Sequence, residues 1–241
     1  MKPLLILKLG DTFPALARRH GDFELWIRSH IGRIPASLTV LDPRRQPLPD
    51  PLAFSAMILT GSHDMVTDRL PWSEQVAAWL PKVVAADVPL LGICYGHQLI
   101  AHAFGGHVGP MPAGREFGTV ELHLHTPAHT DPLFRHMPSP FPVQTSHAQS
   151  VLQLPPRAVS LASTAHDPNS AFALPGRVWG VQFHPEYDVH TVRTYIEACA
   201  AELRSQGADP ASLLAATADT PHSRSLLPRF AALALDSAAH S

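Results

Sequence analysis

Pro89-Leu90-Leu91-Gly92-Ile93-Cys94-Tyr95-Gly96-His97-Gln98 carries an apolar run directly into a Gly-x-Cys-x-Gly bend. Val88 to Ile93 predicts a buried strand, and Tyr95 to Phe104 predicts a helix closed by Gly105-Gly106. A strand that turns sharply into a helix at one central residue is the sulfur version of the nucleophile elbow, which exposes that side chain. Glycine on both sides matters because a Cβ there would crowd the turn. The helix behind Cys94 aims its first N–H groups and its positive dipole end at the sulfur. Both favour a thiolate and any oxyanion formed beside it. Taken alone, a cysteine in a glycine-bearing turn is more often a small core residue.

Working outward from the elbow, strand and helix alternate toward the N-terminus. Leu4 to Leu9, broken only by Lys8, predicts a first buried strand, and Pro14 to His30 predicts a helix. Ser37 to Leu41 and Ala56 to Leu59 predict strands on either side of the proline-rich loop Pro43 to Pro51. Pro71 opens a helix with Trp72, Val76, Trp79, Leu80 and Val83 on one face and a kink expected at Pro81. Beyond the elbow, strands are expected over Thr119 to His125, Pro142 to Thr145, Val159 to Ser163, Ala171 to Leu174 and Val178 to Phe183. Val189 to Leu203 then predicts a helix. The expected fold class is α/β, an open and mostly parallel central sheet with helices on both faces. Gly207-Ala208-Asp209-Pro210 marks a boundary between a main domain, 1–206, and a C-terminal extension, 207–241, of one or two short helices packed on it.

Composition narrows the function classes. Of 241 residues, 45% are hydrophobic, enough for a real core, and only 16% are charged. The net charge of −2 gives no field that would draw the chain onto nucleic acid. No run approaches the roughly 18 apolar residues of a membrane span, and the short N-terminal run lacks the features of a signal peptide. Two cysteines, Cys94 and Cys199, make no disulfide framework, so a cytoplasmic protein is expected.

Val181-Gln182-Phe183-His184-Pro185-Glu186 supplies what a thiol nucleophile needs, 90 residues after Cys94. A base must take the thiol proton and a carboxylate must fix the imidazole tautomer. Proline between His184 and Glu186 stiffens the backbone and holds the two flanking side chains in a fixed relation. On Gly92-Ile93-Cys94-Tyr95-Gly96-His97-Gln98, Gly180-Val181-Gln182-Phe183-His184-Pro185-Glu186 and Ile58-Leu59-Thr60-Gly61-Ser62, the chain resembles the class I, triad-type glutamine amidotransferases. It is similar in particular to the glutaminase domain of GMP synthetase. The likeness covers roughly residues 40 to 200.

That resemblance implies an open Rossmann- or flavodoxin-like sheet with the site at the strand C-termini. It implies that Cys94 attacks the side-chain amide of glutamine, that His184 carries the proton to the departing ammonia, and that Glu186 orients His184. The backbone N–H groups of Gly61 and Tyr95 would form the oxyanion hole, with Gln98, Ser146 and His147 contacting the substrate. Many family members carry Gly-Gly-Pro where this chain has Thr60-Gly61-Ser62, so the turn beside the oxyanion hole is where the sequence departs from the pattern. No cofactor and no metal is expected. Neither a Gly-x-x-x-x-Gly-Lys-Ser/Thr loop nor a Ser-Gly-Gly-x-Asp-Ser segment occurs, so ammonia acceptance would fall to a separate synthetase partner. Two alternatives share the fold: a hydrolase of γ-glutamyl amides such as polyamine or peptide conjugates, and a non-catalytic regulatory module.

Other polar residues read more plainly. Glu121, His123 and His125 share one face of a half-buried strand and are expected to be solvated rather than metal-ligating. His97, His102 and His107 do not repeat at helical spacing and read as surface or packing residues, and Cys199 as core. His63 and Asp64, just after Gly61, suit either the mouth of a pocket or a plain loop.

Overall fold

Alternate residues of the first strand face opposite sides of the sheet, and each side has its own core. In the computed structural model, which describes residues 2–238, β1 (Leu4–Leu7) sends Leu4 and Ile6 into one core and Leu5 and Leu7 into the other. Lys8, the charge that interrupts this run, sits between Asp22, Glu24 and Asp11 at 2.7, 3.0 and 3.1 Å. Burial disfavours its charge, but the hydrogen bonds it donates to Asp22 and Glu24 outweigh that and hold the ammonium protonated. The single helix expected over Pro14–His30 is two, α1 (Pro14–His20) and α2 (Phe23–His30). Gly21 ends the first with a φ of 82°, and the Asp22 carboxylate accepts the Phe23 N–H at 2.8 Å to start the second.

The chain continues through β2 (Leu38–Leu41), β3 (Ala56–Leu59), α3 (Pro71–Ala85, unbroken at Pro81), β4 (Leu90–Ile93) and α4 (Tyr95–Ala103). The second half is richer in strands: β5 (His107–Pro110), β6 (Glu116–Leu124), β7 (Phe141–His147) and β8 (Gln149–Gln153). β9 (Val159–Ser163), β10 (Ala171–Leu174) and β11 (Val178–Val181) complete it. β5 and β8 form a separate two-stranded sheet that the hydrophobic pattern did not announce. Five helices follow: α5 (Val189–Ala198), α6 (Ala200–Ser205), α7 (Pro210–Ala216), α8 (Pro221–Arg224) and α9 (Leu226–Ala238). The helix expected over Val189–Leu203 is thus parted at Cys199, and among the described residues three helices rather than one or two lie beyond residue 207.

The main sheet has the order β2-β1-β3-β4-β11-β10-β9-β6-β7. From β2 to β11 all neighbours are parallel, and beyond β11 they are antiparallel, so β10 and β6 run against the other seven strands. The carboxyl ends of β1, β3, β4 and β11 therefore share one edge, the edge at which open α/β sheets bind their ligands. α3 and α4 cover one face of the parallel part, while α2 and α9 cover the other.

α9 reaches that face because Leu226, Leu227, Phe230, Ala231 and Ala234 recur at helical spacing and are all buried with Ile6, Ile27 and Ile58. Phe230 is fully buried and meets the Trp179 ring edge-on at 6.1 Å. Replacing it with alanine should cost about 3–5 kcal/mol of stability. A urea midpoint unchanged in Phe230→Ala would contradict the packing of α9. Among the described residues no helix is long and apolar enough to cross a membrane.

Candidate active site

Cys94 follows β4 and precedes α4 with φ 51° and ψ −101°, a backbone conformation that side-chain-bearing residues rarely hold. The two glycines make it possible. A Cβ on Gly92 would lie 2.5 Å from the Gly96 carbonyl, and one on Gly96 would lie 2.8 Å from the Leu59 oxygen. The Cys94 N–H is held at 2.8 Å by the Val181 carbonyl, which ties the elbow to β11.

His184 lies three residues beyond β11, and its N–H is fixed to the Gln144 carbonyl at 2.8 Å. The side chains of His184 and Glu186 are 2% and 0% exposed, and Nδ1 stands 2.8 Å from Glu186 Oε1. A carboxylate only accepts, so Nδ1 carries the hydrogen and Nε2 is left for Cys94, which is within hydrogen-bonding reach. Burial opposes a charge on His184, but the Glu186 carboxylate and Cys94 outweigh it and push the imidazole up to about 10. The Tyr187 ring stacks on His184 at 4.0 Å and fixes its plane.

Gly61 stands beside both groups: a Cβ there would meet His184 Cε1 at 3.2 Å and Cys94 Cβ at 3.7 Å. Tyr95 opens α4, so its N–H has no helical acceptor, and among the described residues the Gly61 N–H donates to no backbone carbonyl. The departure at Thr60-Gly61-Ser62 has its own bracing. Thr60 Oγ1 accepts the Leu9 N–H and donates to the Gly61 carbonyl, both at 2.9 Å, and Ser62 Oγ accepts the Asp64 N–H at 3.1 Å.

A cavity of about 290 Å³ opens over the sulfur and is lined by Cys94, Tyr95, Gln98, Ser146 and His147. Gln98 donates from Nε2 to the Gln149 carbonyl at 2.8 Å and to Gln182 Oε1 at 2.9 Å. His147 is committed at both nitrogens, to the Gln149 carbonyl at 2.9 Å and to Glu116 Oε2 at 3.2 Å, so its ring builds the wall. Burial raises Glu116, and its hydrogen bonds from His147 and Thr164 outweigh this and hold the carboxyl below its usual range.

Sequence reasoning missed much of the outer wall. Phe13, Arg115, Tyr195 and Glu202 line the same cavity, as do His63 and Cys199, and no motif unites them. His63 is at the pocket, its Nε2 3.2 Å from the Tyr195 hydroxyl and its ring 4.5 Å from Phe13. Burial, then His184 and Arg115, keeps it below the usual histidine range. His97 is a buried packing residue against Phe172 at 4.8 Å, and burial pushes it down to about 3. On β6, His123 pairs with Glu121 at the surface, and just past its end His125 bonds Ser160 and Ser163.

Comparison with known proteins supplies the family. Residues 22–201 match the family model described as glutamine amidotransferase class-I. A glutamine-hydrolysing GMP synthase of Bacillus pumilus is 34% identical over 186 residues, covering 76% of this chain and 32% of that protein. A Parafrankia protein of the same description is 40% identical over 193 residues, covering 79% and 32%. The chain thus spans about a third of the length of these curated relatives. A solved glutamine amidotransferase of Thermotoga maritima matches over 100% of both chains with a TM-score of 0.72 at 22% identity, which speaks to the fold. A glutamine amidotransferase of Methylobacillus flagellatus matches over 98% of this chain and 95% of its own, with a TM-score of 0.72 at 25% identity.

Proposed function

The chain belongs to the class-I glutamine amidotransferase family, and from that premise we propose that it releases ammonia from free L-glutamine through a Cys94 thioester. One arrangement carries the proposal: a fully buried imidazole with a carboxylate on one nitrogen and a cysteine sulfur within reach of the other. His184 takes the thiol proton, and the sulfur attacks the amide carbon. The N–H groups of Gly61 and Tyr95 receive the resulting oxyanion, each donor worth about 3–4 kcal/mol in comparable sites. The carbon–nitrogen bond then breaks as His184 returns its proton to the nitrogen, and ammonia leaves. Water attacks the thioester, His184 takes the water's proton and passes it to the sulfur, and glutamate departs.

On this reading the acceptor lies outside these 241 residues, in which neither a Gly-x-x-x-x-Gly-Lys-Ser/Thr loop nor a Ser-Gly-Gly-x-Asp-Ser segment occurs. The GMP synthase relatives nominate a nucleotide synthetase for that part. A reducing, cytoplasmic setting suits a mechanism that needs a free thiol at Cys94. Glutamate release from glutamine, measured with and without candidate synthetases, tests the assignment. Higher kcat/KM for γ-glutamyl amines than for glutamine would overturn the choice of substrate and leave the thioester chemistry standing.

Glu186→Gln isolates the orienting role. An amide cannot hold the imidazolium, so kcat should fall about 100-fold, and His184 should titrate closer to its ordinary value of 6.5. Because the folded imidazole is raised toward 10 from 6.5, its contribution to stability is present below about 6.5 and fades as pH rises through about 10. Glu186→Gln should flatten that alkaline loss, as read from the denaturant midpoint between pH 7 and 10. An equal alkaline loss in the variant would show that the pair contributes nothing.

A further inference from the structure

The torsion that tilts an imidazole about its Cβ–Cγ bond has a broad minimum, so the backbone of His184 does not set the angle of its ring. The bond from Nδ1 to Glu186 tolerates some tilt before it weakens, and a tilt that Glu186 accepts can still carry Nε2 off the line to Cys94. Two aromatic rings face the imidazole. Tyr187 lies at 4.0 Å with 14° between the planes, in contact, whereas Phe23 of α2 lies at 6.3 Å and 16°. The Tyr187 face is therefore the one that sets the tilt.

Tyr187 is itself held from several elements. Its ring is buried, Trp26 of α2 meets it edge-on at 5.6 Å, and Tyr195 of α5 packs on it at 5.1 Å. Its hydroxyl pairs with that of Tyr195, which also meets Thr12 Oγ1 and, at 3.2 Å, His63 Nε2. One set of hydrogens satisfies this cluster. His63 is kept below the usual histidine range, so its Nε2 can accept from the Tyr195 hydroxyl. The Tyr195 oxygen then accepts from the Thr12 and Tyr187 hydroxyls. Burial raises both phenols, so each stays a protonated donor through the neutral range. Thr12 is anchored in turn, its N–H donating to the Asp22 carboxylate at 2.9 Å.

We propose that Tyr187 and Tyr195 are positioning residues for His184: the Tyr187 ring holds the imidazole on the line between Glu186 and Cys94, and the Tyr195 hydroxyl holds the Tyr187 ring. The kinetic consequence rests on the glutaminase proposal, while the pose of His184 rests on geometry alone. The carboxylate supplies the charge that His184 needs, and the two tyrosines supply the angle.

Tyr187→Leu removes the flat face. Its kcat for glutamine should fall about 100-fold with KM changed by less than about threefold, as for reacting groups displaced by about 1 Å. Tyr187→Phe keeps the face and loses the anchor, so kcat should fall about 3- to 10-fold. Tyr195→Phe should cost a similar factor in kcat, and nothing further when added to Tyr187→Phe, because it acts through a hydroxyl that is already gone. Two readouts need no substrate: the rate of Cys94 alkylation by iodoacetamide, located by peptide mass spectrometry, and the titration of His184 by NMR. In Tyr187→Leu, alkylation at pH 7 should slow about 10-fold, and the imidazole should titrate below about 10. A kcat within about threefold of wild type in Tyr187→Leu, or a Tyr195→Phe loss undiminished in the Tyr187→Phe background, overturns the inference. If circular dichroism shows that Tyr187→Leu does not fold, the Tyr195→Phe and Tyr187→Phe pairing decides alone. If the wild-type protein releases no ammonia, the glutaminase proposal falls and the same variants are judged by alkylation and titration, where values unchanged from wild type overturn the positioning role.

Discussion

The Cys94→Ala protein should fold normally and release ammonia from glutamine at least about 10,000-fold more slowly than the wild type, since Cys94 is the thiol beside His184 and burial pushes the other thiol of the cavity wall, Cys199, up. Cys94→Ser should be nearly as damaged, because a hydroxyl is a far weaker nucleophile than a thiolate at the same bend. Two measurements check this: the rate of glutamate release, and covalent labelling by a diazo-ketone analogue of glutamine, which should vanish in both variants. Undiminished glutamate release from Cys94→Ala would remove the mechanism. A stability effect of opposite sign should accompany the loss. The Cys94 backbone holds φ at 51°, so Cys94→Gly should relieve about 1 kcal/mol or more of strain and melt higher while being inactive.

Gly92→Ala is expected to be the most damaging single methyl group that can be added near the site. Its Cβ would stand 2.5 Å from the Gly96 carbonyl carbon and oxygen and 2.7 Å from Ile100 Cδ1. Backbone cannot step aside as a flexible side chain can, so α4 must move away from β4. Overpacking of this kind costs about 1–3 kcal/mol or more. The functional loss is larger than the loss of stability, because the Cys94 thiol and the Tyr95 N–H ride on the displaced segment. A shift of about 1 Å in reacting groups is worth about 100-fold in rate. Urea titration and kcat measured together decide the point: a kcat within about threefold of wild type would mean that the elbow tolerates a wider turn than its contacts suggest.

The candidate catalytic edge was legible because its parts are contiguous in the chain. Gly92-Ile93-Cys94-Tyr95-Gly96 and His184-Pro185-Glu186 each encode a local geometry, and the parallel register of β4 with β11 brings the two together. The alternation of strand and helix likewise announced the layered sheet. What stayed hidden depends on partners distant in sequence. Arg115 and Glu202, His63 and Tyr195, and Glu116 and His147 meet only because β6, β7, α5 and α6 fold over the pocket. The break between α1 and α2 was missed for a related reason. The Asp22 carboxylate accepts both Phe23 N–H and Thr12 N–H, and the second of these is set by the loop after β1.

α9 closes the face of the sheet that β1 begins, which has a consequence for how the protein is made. Ribosomes deliver Leu4 and Ile6 more than two hundred residues before Leu226 and Phe230 arrive to cover them. Translation at about 5–20 residues per second leaves that apolar surface open to solvent for about ten seconds or longer. During this interval a nascent chain depends on a chaperone or on transient collapse to avoid sticking to its neighbours, and the finished core becomes available only after α9 has cleared the exit tunnel.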